Sequence, residues 1–200
     1  MAHLEPLAET HPRLVDDFKT FERILGFVPN SLLTMQRCPE IVEGFSALTR
    51  SIMHCNGDSS SQVDLGLLRL AAHVSSRSAG CRYCEAHSLV AAQIHGISEE
   101  KVNAIWDYKS SPLYSDAERA ALDFATAAGL VPNAVNSEIM DNLKSHWTDE
   151  QIVRILAAVS LYGFLNRWNS SMATTLESAP RELADRALRP RGWDEGKHSP

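Results

Sequence analysis

The spacing of apolar residues along the chain predicts helices rather than strands. The first amphipathic segment begins at Pro12, and its apolar side chains recur at intervals of three and four residues. That interval places them on one face of an α-helix. Alternation of polar and β-branched residues, which is typical of strands, does not extend far enough to predict one. We therefore expect an all-α fold.

Capping signals mark several helix starts. Ser115 and Thr148 each open a capping box, because an acid or an amide follows three residues later. Gly26 is typical of a helix end, and loops are expected at residues 56–58 and 75–80. The predicted helices span residues 12–26, 31–36, 39–54, 63–74, 81–95, 98–106, 136–143, 148–172 and 181–189, and a further helix begins at residue 115.

A weak internal repeat relates residues 69–75 to residues 154–160. Four of the seven positions are identical at an offset of 85 residues. Alanine-rich helices match by chance, so coincidence and two similar helical halves packed together are both open interpretations.

The composition is that of a folded chain without a basic surface. The 200 residues are 44% hydrophobic and 22% charged, which is ordinary for a globular protein. Nineteen Lys+Arg against 25 Asp+Glu give a net charge of −6, so we expect no nucleic-acid partner. The length suits one domain, which we place at residues 1–178, with a tail or oligomerisation arm at residues 179–200.

The N-terminus and the apolar stretches give no sign of a membrane. Residues 1–14 lack the basic and apolar segments of a signal peptide. Residues 155–165 form the longest nearly apolar stretch, which is too short for a bilayer span. We expect a cytoplasmic protein without a membrane partner, whose thiols stay reduced.

Two of the four cysteines form a C-x-x-C pair. Cys81 and Cys84 follow Gly80 at the predicted start of a helix. Cys38 and Cys55 lie near opposite ends of another predicted helix, roughly 24 Å apart, and are expected to be free thiols. In a reducing compartment a C-x-x-C pair indicates redox catalysis or metal binding rather than a structural disulfide.

The location of the pair at a helix start favours a reactive thiolate. Free N–H groups and the positive end of the dipole lower a cysteine pKa from about 8.5 toward neutrality there. Arg82 adds a nearby positive charge, and His87 follows Cys84 by three residues on the same helical face. Cys84 therefore has the surroundings of a nucleophile, with a resolving thiol on one side and a base on the other.

Two other interpretations of the pair stay open. A zinc site would need two further ligands, for which His73, His87 and His95 are available, but the chain has no second C-x-x-C motif. Alternatively, the two cysteines are inert buried thiols. We favour the redox interpretation, which requires neither a metal nor an organic cofactor.

Residues 80–87, Gly-Cys-Arg-Tyr-Cys-Glu-Ala-His, closely resemble the signature of the alkylhydroperoxidase-D-like group of the carboxymuconolactone decarboxylase family. More narrowly, they resemble its peroxidase-related members. Residues 26–30, 95–101 and 164–169 resemble further segments of this group, so the likeness covers residues 20–178. The resemblance implies an all-α, alkylhydroperoxidase-D-like helical bundle that forms a homo-oligomer, commonly a trimer or a hexamer.

The resemblance also implies thiol-dependent reduction of a hydroperoxide or another small-molecule substrate. In that scheme the peroxide oxidises Cys84 to a sulfenic acid, Cys81 condenses with it to a disulfide, and an external dithiol restores the pair. His87 matches the histidine of the motif and would shuttle protons. In many members this histidine lies one residue further along the helix.

One position departs from the family pattern. The better-characterised hydroperoxidases carry a relay glutamate twelve residues before the first cysteine, where this chain has Arg69. An arginine is not a base at neutral pH, so we expect Arg69 to hold a thiolate or an anionic substrate. His73, one turn later on the same face, is expected to replace the base. Glu85 is the nearest carboxylate in sequence, but it is turned away from the line between Cys84 and His87.

Two alternative functions remain. The first is a non-enzymatic, redox-responsive oligomer, which would be consistent with Arg69 in place of the family's glutamate. The second is decarboxylase or lactone chemistry on a small carboxylate bound by Arg69 and Arg167, which leaves the C-x-x-C pair unexplained.

Overall fold

The structure, a computed structural model, describes residues 2–53 and 61–200, and these residues form helices and no strand. The ten α-helices of this part of the chain are α1 (Val15–Leu25), α2 (Asn30–Met35), α3 (Pro39–Met53), α4 (Leu65–Ser78), α5 (Arg82–Ile94), α6 (Glu99–Asn103), α7 (Asp116–Gly129), α8 (Ser137–Lys144), α9 (Asp149–Met172) and α10 (Ser178–Ala187). The predicted all-α fold is confirmed. Among the described residues, no helix combines the length and the apolar character that crossing a bilayer requires.

The predicted caps form and fix the helix ends. Ser115 and Thr148 make complete capping boxes at the starts of α7 and α9. Gly26 ends α1 with φ at 83°, in the left-handed region that glycine enters without a steric penalty. Each of these signals is local in sequence, which is why the sequence predicts them.

The loop predicted at residues 75–80 starts later than expected. The hydroxyls of Ser75 and Ser78 donate to carbonyls of the preceding turn at 3.0 Å, so these serines extend α4 instead of ending it. The other predicted loop, at residues 56–58, lies outside the described residues, as does Cys55.

The cysteine helix lies in the middle of the bundle. α5 packs against α4, α9 and α10, and α4 packs in turn against α7 and α9. The weak repeat thus falls on two helices in mutual contact, while the division into two similar halves stays a prediction. A smaller apolar cluster lies beneath α1, α2 and α3, and it consists of Leu14, Phe18, Leu32, Met35 and Val42.

The segment predicted as a tail or oligomerisation arm, residues 179–200, packs on the chain's own core. Leu183, Leu188 and Trp193 belong to the main buried cluster, and Trp193 is 1% exposed. The apolar side chains of α10 cover α5, so the core continues across the boundary predicted at residue 178. A role of this segment in oligomerisation stays a prediction.

Replacing Trp193 with alanine tests whether the C-terminal segment belongs to the core. Loss of a large buried aromatic side chain leaves a cavity, so we expect Trp193→Ala to lower the free energy of unfolding by about 3–5 kcal/mol. The measurement is urea denaturation followed by circular dichroism. Val131→Ala, at a side chain that is 83% exposed, is the control and should change stability little. Equal stability of both variants would show that the segment is not part of the core.

Candidate active site

The two thiols occupy different positions at the start of α5. Cys81 is the N-cap, and its sulfur accepts a hydrogen bond from the backbone N–H of Cys84 at 3.4 Å. Cys84 lies within the first turn, is 1% exposed, and its sulfur accepts a hydrogen bond from Asn169 Nδ2 of α9 at 3.3 Å. Both cysteines are free thiols in this structure.

The surroundings of the two thiols change their acidity in opposite directions. A hydrogen bond from the Cys84 side chain, helped by the Cys84 backbone N–H, lowers the pKa of Cys81 despite burial. Burial, together with the adjacent Cys81, raises the pKa of Cys84 well above its usual value. The predicted lowering is therefore right for Cys81 and wrong for Cys84, because desolvation outweighs the helix N-terminus there. The first negative charge of the pair resides on Cys81.

A small cavity of about 90 Å³ opens onto Cys84. Its wall is mainly apolar and includes Phe21, Ile24, Leu25, Phe45, Leu161 and Leu165. Polar groups reach it from Arg69, His87 and Asn169. Of the two described thiols at the start of α5, Cys84 lines the cavity and Cys81 does not. A molecule in this cavity therefore meets Cys84 first.

His87 is held on the cavity wall by a carboxylate and two aromatic rings. Its Nε2 lies 2.6 Å from Oε2 of Glu177. A carboxylate only accepts hydrogen bonds, so Nε2 carries the hydrogen of this contact and proton exchange falls to Nδ1. The imidazole stacks on Tyr83 with a centroid distance of 4.2 Å and meets Phe27 edge-on at 5.7 Å. These contacts fix the orientation of the ring.

Glu177 is the residue that the sequence did not reveal. Its Oε1 accepts hydrogen bonds from Tyr83 Oη at 2.8 Å and from the Asn30 backbone N–H at 2.5 Å. Burial opposes ionisation, but the charge and hydrogen bond of His87 outweigh it, so the pKa of Glu177 lies below its usual value. Glu177 is 90 residues from His87 and precedes α10 as its N-cap. No motif links it to the cysteines, so spacing arguments miss it.

His73 does not take the position predicted for a base. Its Nδ1 pairs with the backbone carbonyl of Glu85 at 2.9 Å, and burial lowers its pKa to about 4. Among the residues that the structure describes, His73 is not one of those that line the cavity. Through its Nδ1, His73 therefore joins α4 to α5.

The zinc alternative gains no support from the placement of the histidines. Within residues 2–53 and 61–200, no group of three or more His, Cys, Asp and Glu side chains is arranged to hold a metal ion. His95 caps the far end of α5, about 20 Å from Cys81 at the usual helical rise.

Arg69 lies on the cavity wall, as expected of a substrate-binding residue, but Arg167 does not join it. Arg69 Nη1 donates to Tyr162 Oη at 3.0 Å. Arg167 lines a different depression and donates to the Gly163 carbonyl at 3.3 Å. The two arginines that decarboxylase or lactone chemistry would use are therefore not brought together.

Comparisons with known proteins agree with this arrangement of helices. Residues 39–127 match the carboxymuconolactone decarboxylase family. The debrominase Bmp8 is 34% identical, and its crystal structure superposes with a TM-score of 0.84 over 92% of this chain and 97% of that chain. The chain belongs to the carboxymuconolactone decarboxylase family. Since Bmp8 is a debrominase, this family includes enzymes.

Two further matches are partial or lower in sequence identity. The uncharacterized protein YnjA of Escherichia coli (strain K12) is 33% identical over 93 residues, which is 46% of this chain and half of that relative. An alkylhydroperoxidase AhpD core structure, of an uncharacterized peroxidase-related protein from Ralstonia eutropha JMP134, is 21% identical. It covers 88% of this chain and 92% of that chain with a TM-score of 0.71, and so supports the predicted alkylhydroperoxidase-D-like fold.

Glu85 is a buried carboxyl group on α5 that stays away from the cavity. It is 1% exposed, its Oε1 has no partner, and Arg82 approaches Oε2 at 3.5 Å. Burial raises the pKa of Glu85 to about 7, against the opposing charges of Arg82 and Arg77. The folded state therefore favours the protonated acid.

This raised pKa predicts a pH-dependent effect of Glu85→Gln. The unfolded chain ionises Glu85 above about pH 4.5 and the folded protein only above about pH 7, so its contribution to stability is lost between these values. We expect Glu85→Gln to match the wild type at pH 4 and to be more stable by on the order of 1–3 kcal/mol at pH 8. Urea denaturation at both pH values measures the difference. A variant that is less stable than the wild type at pH 8 would show that Glu85 is ionised in the fold.

Proposed function

We propose that the protein is a thiol-dependent reductase of small hydroperoxides that uses Cys84 and Cys81 as a redox pair. The observation that carries the proposal is the division between the two thiols. Cys84 faces the cavity, whereas Cys81 lies behind it with the lower pKa. The substrate-facing sulfur thus has the more acidic thiol of the pair as its immediate neighbour, and the thiolate of that neighbour can take up the proton of Cys84.

The first half-reaction oxidises Cys84. Cys84 passes its proton to the Cys81 thiolate and attacks the terminal oxygen of the hydroperoxide. The O–O bond breaks, Cys84 becomes a sulfenic acid, and the alkoxide leaves as an alcohol with the proton that Cys81 took up, which is passed on through Nδ1 of His87. Glu177 keeps His87 oriented and stabilises the imidazolium formed during this transfer, and Cys81 is left as the thiolate.

The second half-reaction closes the disulfide. The Cys81 thiolate attacks the sulfur of Cys84, an S–S bond forms, and the hydroxide that is displaced leaves as water after protonation. Two thiols thereby supply the two electrons that reduce one hydroperoxide. An external dithiol restores the pair. A homo-oligomeric state and a cytoplasmic location complete the proposal and rest on the family resemblance and the sequence.

A second candidate function is reductive debromination, which the similarity to Bmp8 over 92% of this chain favours. The same two electrons would replace a C–Br bond by C–H, with bromide leaving and the disulfide forming. A cysteine-to-alanine variant of Bmp8 has been crystallised with 2,3,4-tribromopyrrole.

Serine variants test the redox pair. We expect Cys84→Ser to abolish dithiol-dependent turnover of tert-butyl hydroperoxide, because a serine hydroxyl cannot be oxidised. Without added dithiol, Cys81→Ser should consume a single equivalent, more slowly than the wild type because the neighbouring base is lost, and then stop at the sulfenic acid, which a dimedone probe detects. Cys38→Ser, at an exposed thiol, is the control and should retain full turnover. Full turnover by Cys84→Ser would refute the proposal, and bromide release from 2,3,4-tribromopyrrole without peroxide consumption would favour debromination.

Glu177→Gln tests the relay through His87. The glutamine amide holds the His87 ring less firmly than the carboxylate does and carries no negative charge. We therefore expect kcat to fall by about ten- to a hundred-fold. KM should stay unchanged, because Glu177 is not among the described residues that line the cavity. Glu182→Gln, at an exposed carboxylate on the same helix, is the matched control. An unchanged kcat for Glu177→Gln would remove His87 and Glu177 from the mechanism.

A further inference from the structure

Arg69 carries a positive charge into the cavity without a counter-charge. The residue is 9% exposed, and its Nε is buried with no hydrogen-bond partner. Its Nη1 donates to the neutral hydroxyl of Tyr162, and no carboxylate of the described residues forms an ion pair with it. A desolvated guanidinium is costly unless an anion compensates it. The missing partner is therefore expected among the ligands of the cavity.

The thiol pair does not supply that partner. Apart from burial, the groups that set the pKa of Cys84 are Cys81 and Asn169, and Arg69 is not among them. Along α9, Tyr162 at the Arg69 end and Asn169 at the thiol end are seven residues apart. At about 1.5 Å per residue this is roughly 10 Å. The cavity therefore has a cationic end and a thiol end.

A second unpartnered group lies at the cavity. The hydroxyl of Thr49, on α3, is buried without a hydrogen-bond partner and its residue lines the same wall. Arg69 Nε and Thr49 Oγ1 are two donors without acceptors on residues that line a mainly apolar cavity. An oxyanion would satisfy both, and such charge-assisted hydrogen bonds are the strong ones.

We propose that Arg69 and Thr49 bind the carboxylate of a short-chain acid whose other end lies against Cys84. A monoanion matches the single charge of Arg69, whereas a phosphate dianion would bring an uncompensated charge into an apolar cavity. The mainly apolar wall of the cavity suits the hydrocarbon chain of such an acid. The carboxylate site itself is independent of the proposed function. Only the substrate class, a hydroperoxide that carries a carboxylate, rests on the proposed function.

Binding of a redox-inert acid tests the carboxylate site directly. Hexanoate and its neutral analogue hexanamide are titrated into the reduced protein by isothermal titration calorimetry. We expect hexanoate to bind at least ten-fold more tightly than hexanamide and to slow alkylation of Cys84 by iodoacetamide. Arg69→Met, which keeps an unbranched side chain and removes the positive charge, should reduce the affinity for hexanoate to that for hexanamide. Arg167→Met, at an exposed arginine outside the cavity, should leave the affinity unchanged.

The outcomes separate this inference from the proposed function. Equal binding of hexanoate and hexanamide to the wild type would overturn the carboxylate site without the use of any variant. Unchanged hexanoate binding by Arg69→Met would overturn it as well. A protein that binds hexanoate through Arg69 and reduces no hydroperoxide would support the site and refute the reductase. A protein that reduces tert-butyl hydroperoxide but does not discriminate between the two ligands would do the reverse.

Discussion

The carboxylate of Glu177 is the contact on which the geometry of the site depends. It precedes α10 and accepts hydrogen bonds from the start of α2 and from two side chains of the cysteine helix, Tyr83 and His87. A buried carboxylate is tolerated only when its oxygens are paired in this way. The same carboxylate therefore joins three separate parts of the chain and orients the imidazole beside Cys84. A chain that ended before Glu177 would lose this contact together with the part of its core that α10 supplies.

Burial gives the two cysteines different tasks even though they lie one turn apart. Cys81, at the N-cap, receives hydrogen bonds that favour the thiolate. Cys84 is deeper, and desolvation keeps its proton in place until a substrate arrives. The thiol with the higher pKa is thus the one that meets the ligand, and the other is its adjacent base. This arrangement keeps Cys84 in the protonated form at rest, which is the less readily oxidised form of a thiol.

The sequence predicted most helices because their signals are local. Capping boxes at Ser115 and Thr148 and the left-handed Gly26 each involve a few consecutive residues. Cys84 and His87 were found in the same way, since helical spacing alone places both on one face. The serines of residues 75–78 misled the prediction because they bond to their own helix.

Local sequence patterns could not predict the contacts between distant segments of the chain. Glu177 reaches His87 from 90 residues away, and no spacing rule relates the two. The direction of the Cys84 pKa depends on how many helices cover its sulfur, which periodicity does not give. His73 was assigned as a base from its nearness in sequence, but its ring is turned toward the Glu85 carbonyl. The C-terminal segment was predicted to be a tail because it is rich in charged residues, but its few apolar side chains pack on the core.

The stoichiometry of a single turnover tests the central claim most directly. Reduced protein is mixed with one equivalent of tert-butyl hydroperoxide without added dithiol, and the remaining thiols are counted and mapped by peptide mass spectrometry. The redox-pair account predicts the loss of two thiols per hydroperoxide, found as a disulfide between Cys81 and Cys84, with Cys38 unchanged. Full retention of the Cys81 and Cys84 thiols while the hydroperoxide is consumed would contradict it.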